Sequence, residues 1–230
     1  MRKIGGRRLD PVKTFILVLF VLMQGYLIFI KKHESLDIDV FPGTIPAPNI
    51  FIGNRIGQTF IAQRDHLVRI DVLMGTHERV NDREITFTLR ERKPKNRILR
   101  RTTFNAAEVI DNRYHPVRFD PVRDSKGKEY YFLFNSPEST PDNSVCIWMN
   151  EDNIYPDGQY RYRHDPQMGD LVFRVYSRRP ISKELARVVR HYSGVFGSVA
   201  VLIGVIVIFV VVQVFILLKL LDVIFKMIKD

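Results

Sequence analysis

Residues Gly197 to Leu218 (GSVAVLIGVIVIFVVVQVFILL) carry no charged side chain, and Gln213 is the single strongly polar one. At 1.5 Å rise per residue a helix of this length covers roughly 30 Å, the depth of a bilayer's hydrocarbon. A helix on the surface of a soluble protein keeps a polar face. This run has none, so it predicts a transmembrane helix over 195–218. The rest of the chain must then fold around a fixed tether.

A second apolar run, Thr14 to Ile30 (TFILVLFVLMQGYLIFI), follows a basic leader (Arg2, Lys3, Arg7, Arg8, Lys13) and precedes Lys31 and Lys32. It is longer than the core of a signal peptide and ends in Phe-Ile-Lys-Lys, not at a small-residue cleavage site. The expectation is an uncleaved anchor over 14–30, its flanking lysines snorkelling to the interface. Two spans put both termini on one side. The basic tails 1–13 and 219–230 make that side the cytoplasm of a bacterial inner membrane, with the middle of the chain periplasmic or extracellular.

The formal net charge of +10 would suggest nucleic acid if it were spread over a folded surface. It is not: residues 33–180 hold 22 Lys+Arg against 21 Asp+Glu, so nearly all the excess flanks the two spans. Anionic headgroups account for it, and membrane lipid is the expected partner. No nucleic-acid partner is expected. The single cysteine, Cys146, excludes an intrachain disulfide and a cysteine-based metal site.

Between the spans, three prolines and a glycine in 41–50 (FPGTIPAPNI) read as an extended spacer. From residue 51 short alternating segments are separated by turn residues. The strands predicted are 58–63, 67–74, 84–92, 98–106, 114–122, 128–135, 144–150, 158–164 and 170–178. Val68, Ile70, Val72 and Met74 share one face, as do Ile85, Phe87 and Leu89, then Tyr130, Phe132 and Phe134, and then Leu171, Phe173 and Val175. That period of two marks half-buried strands. The fold class is therefore all-β: an antiparallel jelly-roll β-sandwich flanked by two transmembrane α-helices. Its parts are a cytoplasmic tail 1–13, a span 14–30, a linker 31–50, a sandwich 51–179, a juxtamembrane helix 180–194 running on into the span 195–218, and a tail 219–230. A jelly roll commonly pairs its first and last strands, which brings both chain ends to one edge.

Several of these residues resemble a family. Gly57-Gln58-Thr59-Phe60 with Ala62, an Asn ahead of a strand ending in Leu89-Arg90, an Asp124-Ser125-x-Gly127-Lys128 turn before an aromatic strand, and a closing Gly169-Asp170-Leu171-x-Phe173-Arg174-Val175-Tyr176 form its pattern. The pattern is similar to an extracytoplasmic domain of bacterial membrane proteins linked to cell-surface polysaccharide assembly, found beside multi-span glycosyltransferases. The resemblance implies a jelly roll like those of carbohydrate-binding modules. It carries no catalytic motif.

Enzyme constellations are missing from the sequence. The six histidines are dispersed, with no pair spaced to share a metal, and neither a nucleophile elbow nor a phosphate-binding glycine loop occurs. Cys146 alternates with Ile147 as a small buried hydrophobe would. No cofactor is expected. Sugar binding uses flat aromatic rings beside hydrogen-bonding side chains. Tyr155, Tyr160, Tyr162 and Arg161 in NIYPDGQYRYRHD are candidates, with Tyr114 beside Asn112 and His115 as another. A half-buried strand position is the alternative for each tyrosine. The basic run Arg90, Arg92, Lys93, Lys95, Arg97, Arg100, Arg101 suits an acidic polysaccharide or lipid headgroups, or is a solvated hairpin tip. Asp165 and Asp170 are weak candidates for a structural calcium. In the second span Gly197, Gly204 and Gln213 are candidates for packing against a partner membrane helix.

The function expected is that of a non-enzymatic, membrane-anchored accessory protein in surface-polysaccharide assembly or export, holding a glycan or glycolipid. The alternatives are a structural subunit of a larger membrane complex and a membrane-tethered hydrolase.

Overall fold

All nine alternating segments form strands in the computed structural model, which describes residues 10–93, 96–191 and 199–229. The chain divides into a sandwich, Glu34–Arg178, and a helical unit made from the chain on either side of it.

In the helical unit, α1 (Pro11–Gly25) continues as a π-helical turn, Tyr26–Ile30. Asp10 caps it by accepting from the Val12 N–H at 2.8 Å, and Pro11 fills the first position, where no N–H is needed. Two further helices are α2 (Ile181–His191) and α3 (Val199–Lys229). Pro11–Ile30 and Ile203–Met227 are each long and apolar enough to cross a bilayer, and neither apolar window is buried within the protein. Helix α3 runs eleven residues beyond the predicted span because Leu220, Leu221, Ile224 and Phe225 continue the apolar pattern between Lys219, Asp222 and Lys226. Lys13 pairs with Asp222 and lies over the Phe225 ring at 5.2 Å, so the start of α1 sits beside the end of α3.

A side chain at Gly204 would meet nothing within 4 Å, so this glycine makes no close helix contact among the described residues. Gly197 lies outside the described residues. The Gln213 Oε1 atom is buried and has no hydrogen-bond partner among the described residues. The predicted rod joining 180–194 to the span crosses residues 192–198, which also lie outside the described residues.

The sandwich begins earlier than the sequence suggests. Residues 31–50 are not a linker: they hold β1 (Lys32–Val40) and β2 (Ile45–Pro46). Ile38, Val40, Ala47 and Ile50 are buried in the core, which draws this segment onto the sheet. Thr44, Ala47 and Ile50 donate their N–H groups to the carbonyls of Met149, Ile147 and Val145, each at 2.8 Å. The intervening Pro46 and Pro48 have no N–H to place, as edge positions permit.

The other strands are β3 (Ile56–Ile61), β4 (Leu67–Gly75), β5 (Glu84–Glu91), β6 (Arg97–Asn105), β7 (Arg113–Val122), β8 (Glu129–Asn135), β9 (Cys146–Asn150), β10 (Gln159–Tyr162), β11 (Asp165–Pro166), β12 (Asp170–Leu171) and β13 (Phe173–Pro180). One antiparallel sheet follows the order β1-β13-β4-β9-β12, with β2 on β9 and β7 on β4. The other runs β11-β10-β3-β8-β5-β6. The predicted last strand is broken at Val172, whose N–H donates to Trp148 O at 2.8 Å while its carbonyl accepts from Leu73 N at 3.1 Å. There the chain leaves β9 and joins β4. The first and last strands are neighbours, so the segments leading to α1 and α2 leave from one edge.

Between the sheets Phe60, Phe132 and Phe173 pack with ring centroids 5.3–6.1 Å apart, all fully buried. One polar bridge crosses this core. Gln58 of β3 donates to Asp170 of β12 at 2.7 Å and accepts from Leu171 N at 3.1 Å, while Asp170 also accepts from Tyr155 N at 2.8 Å. The expectation of a calcium site at Asp165 and Asp170 is corrected here. Asp170 is sealed in the core with its oxygens engaged, Asp165 is exposed, and no metal-ligating cluster occurs among the described residues.

Candidate functional site: an arginine hollow on the outer sheet face

Strand register decides which side chains reach the surface of the second sheet. Tyr160 pairs with Gln58 and Tyr162 with Ile56, both inward-facing, so Gln159 and Arg161 face outward. Tyr160 and Tyr162 do share one face, and it is the inner one. Tyr160 is 3% exposed, and burial pushes its phenol up to about 12. Tyr155 is buried edge-on to Phe173 at 5.8 Å. Tyr162 packs half-buried on the core and donates to Asn54 Oδ1 at 2.8 Å. The expected tyrosine platform for sugar is therefore corrected, because its rings fill the core. Tyr114 sits half-buried on the opposite sheet with the Arg174 guanidinium over its ring at 4.0 Å, which covers the face a sugar would need.

Arg161 has a different setting. On the outer face it joins Arg90, Arg92, Asn96, Tyr131 and His164 around a hollow of ≈ 290 Å³. Arg90 lies opposite Tyr131 across β5 and β8, and Arg161 lies opposite Gly57 across β10 and β3. Gly57 lies beneath the Tyr131 ring. A Cβ there would stand 2.2 Å from Phe132 O and 2.7 Å from Tyr131 Cε2. The missing side chain lets the Tyr131 ring lie across β3, between the arginines on either side.

His164 closes one wall. Arg55 Nη1 donates to His164 Nε2 at 2.9 Å, and Arg161 Nη1 donates to the His164 carbonyl at 2.6 Å. An arginine is always protonated, so Nε2 is the bare nitrogen and the ring proton sits on Nδ1. Burial, then the charges of Arg55 and Arg90, hold His164 below the ordinary imidazole value. It is neutral at pH 7. The turn that carries it, Arg163-His164, has φ of 52° and 80°. A two-residue hairpin loop with both φ positive usually takes Asn-Gly. Holding larger residues there costs on the order of 1 kcal/mol each.

The charge in this hollow is unbalanced. Arg92 has Glu129 at 3.3 Å, but Arg55, Arg90 and Arg161 have no ion-pair partner among the described residues. The outer face of the other sheet differs: Arg69 pairs with Glu34 and Asp71, Arg118 with Glu34, and Arg174 with Asp39. Three buried donors on residues that line the hollow also lack acceptors among the described residues: Arg90 Nε, Arg161 Nε and the Tyr131 hydroxyl. Burial raises the Tyr131 pKa, although Arg161, Arg90, Arg92 and Arg55 all act to lower it. The phenol stays protonated and can donate. Such a set attracts an oxyanion and offers it hydrogen bonds.

The basic run is thus only partly functional in form. Arg92 lines the hollow. Lys93 lies 3.9 Å from Glu129, Arg97 3.4 Å from Glu91, and Arg100 donates to the carbonyls of Asp120, Leu99 and Pro121. Arg101 is exposed, and Lys95 lies outside the described residues. Sequence reasoning missed Arg55, Tyr131 and His164 as site residues. Tyr131 had a signal, since it alternates out of phase with the inward Tyr130, Phe132 and Phe134. Arg55 had none.

A second hollow, ≈ 370 Å³, lies against Trp148, His77, Glu78, Asp111 and Asn112. Its polar groups satisfy one another: Trp148 Nε1 donates to Asn112 Oδ1 at 2.8 Å, and Asp111 accepts from the Thr76 N–H at 2.6 Å. Cys146 at its edge is buried, and burial pushes its thiol up, away from reactivity.

These features define a two-sheet β-sandwich with apolar helices at both ends and a cationic hollow on one outer face. No protein-family model and no curated protein matches the chain. Among solved structures, it is similar to the Yersinia pseudotuberculosis-derived mitogen, with a TM-score of 0.29 and 10% identity over 56% of this chain and 93% of that one.

Proposed function

We propose that this chain is a non-enzymatic, membrane-anchored accessory protein whose sandwich holds an acidic glycan or glycolipid headgroup outside the cytoplasm of a bacterial cell, in surface-polysaccharide assembly or export. The observation that carries the reading is the arginine hollow: two lining guanidinium groups, Arg90 and Arg161, without carboxylates among the described residues, beside a protonated phenol, with Arg55 behind His164. A neutral sugar has no use for that charge, and a folding core gains nothing from it. The adjacency of Lys13 and Asp222, together with the basic tails, supports both termini on the cytoplasmic side. The resemblance to polysaccharide-assembly domains supports the pathway.

The test is binding to the full chain in nanodiscs of uncharged lipid. A glucuronate-containing oligosaccharide should bind, and its neutral glucose counterpart should not. Arg161→Gln should weaken binding about tenfold, the loss of one hydrogen bond to a charged group. Equal binding of the neutral sugar, or an unchanged affinity in the variant, would overturn the reading. Absence of any glycan binding alongside stable co-purification with another membrane protein would favour a structural subunit instead.

A further inference from the structure

We infer that the group seated in the arginine hollow is a phosphate dianion, the monoester of a sugar or lipid, held by Arg90, Arg161 and the Tyr131 hydroxyl. The inference rests on the reading that the hollow is an anion site, and it adds the class of anion.

Donor arrangement is the first argument. Arg90, Tyr131 and Arg161 come from β5, β8 and β10, which places the phenol between two guanidinium groups along one face of the sheet. A carboxylate presents two coplanar oxygens and is best met by a single guanidinium fork. A monoester phosphate presents three terminal oxygens arranged around an axis, enough for both guanidinium groups and the phenol at once. Arg90 Nε, Arg161 Nε and Tyr131 OH are each buried and without an acceptor. Buried donors left unmet cost about 1–3 kcal/mol each. In a natural sheet face three such donors side by side call for an acceptor.

Charge is the second argument. Arg90 and Arg161 bring two positive charges to the lining with no ion-pair partner among the described residues, Arg55 adds a third behind His164, and Arg92 shares Glu129 with Lys93. A carboxylate returns one negative charge, whereas a phosphate monoester returns roughly 1.5 to 2 near neutral pH. His164 is neutral and adds none.

Tyr131 supplies the third. It is 7% exposed, although it projects from the outer face of its sheet. Its ring fills the space above Gly57 and is needed for packing, but its hydroxyl makes no bond among the described residues. Phenylalanine would pack as well there, so the hydroxyl is free to serve a ligand; unlike the equally unpartnered Tyr130 hydroxyl, it belongs to a residue that lines the hollow. The volume, ≈ 290 Å³, accepts a phosphate with part of the group that carries it.

The experiment is calorimetric titration of the full chain in uncharged nanodiscs with glucose 6-phosphate, glucuronate, glucose and inorganic phosphate. Glucose 6-phosphate is expected to bind at least tenfold more tightly than glucuronate, and glucose not at all. Glucuronate binding as tightly as the phosphate ester would overturn the phosphate assignment while leaving an acidic-glycan site intact. No binding by either acid would overturn both. A sugar ester tighter than inorganic phosphate assigns the phosphate to a glycan; equality assigns it to the phosphate group alone, and either supports the dianion. Tyr131→Phe should lower glucose 6-phosphate affinity about tenfold while leaving the ligand-free melting temperature unchanged or higher. Lost stability with unchanged affinity would show the hydroxyl to be structural.

Discussion

Gly57→Ala is expected to destabilise the sandwich by about 3 kcal/mol or more and to abolish anion binding in whatever fraction still folds. The new Cβ would lie 2.2 Å from a backbone oxygen, Phe132 O, and 3.0 Å from Leu133 Cα. Neither can swing aside as a flexible side chain would, so β3 and β8 must separate. These strands stay in register from Ile56↔Phe134 to Ile61↔Glu129 at the centre of their sheet. The same Cβ displaces the Tyr131 ring, 2.7 Å away, and with it the hollow's floor. Chemical denaturation of the full chain measures the first effect. A loss below about 1 kcal/mol would mean that the two strands tolerate a side chain between them.

The second large effect is at the buried bridge between the sheets. Asp170→Ala is expected to cost about 2–4 kcal/mol, because Gln58 Nε2 and the Tyr155 N–H lose their acceptors inside the core. Asp170→Asn should cost less, since it restores one of the two acceptors. The wild-type carboxyl also has a pH signature. Burial raises its pKa, against the lowering effects of the Tyr155 N–H and Gln58. A carboxyl with a folded pKa above its unfolded value favours the fold when protonated. Its contribution is full below the unfolded value, near 3.8, and is lost as pH rises through the raised folded value. Stability measured across that window should therefore rise with acid more in the wild type than in Asp170→Asn. A steeper rise in the variant would contradict the assignment.

The nine strands were legible because each carries an apolar row with period two, a purely local property. The segment 32–50 was not. Its core residues Ile38, Val40, Ala47 and Ile50 are interrupted by Asp37, Asp39 and three prolines, and that composition reads as a spacer. Asp37 is tolerated because Arg64 Nε lies 3.1 Å from it, a contact between residues distant in sequence. The site was half legible for the same reason. Arg90, Arg92 and Arg161 were singled out, the first two as part of a basic run and the third beside tyrosines. Nothing local says that β10, β3, β8 and β5 lie side by side, which is what brings them to one hollow. The tyrosines were misread because alternation fixes which residues share a face but not which face is inside. In QYRY the apolar choice is Tyr160 and Tyr162, and the core took them. Their arginine and glutamine neighbours were left to the surface.

The most direct test of the account is the thermal unfolding of the full chain and of an Arg90→Gln, Arg161→Gln double variant, each with and without an acidic sugar. The account predicts that the ligand-free variant is at least as stable as the wild type, because two uncompensated guanidinium charges have been removed. It further predicts that ligand at about 100 times its Kd raises the wild-type midpoint by about 5–10 °C and leaves the variant unmoved. A variant that melts lower without ligand, or one that responds to ligand as the wild type does, would contradict the claim that these arginines form an anion site and not a part of the fold.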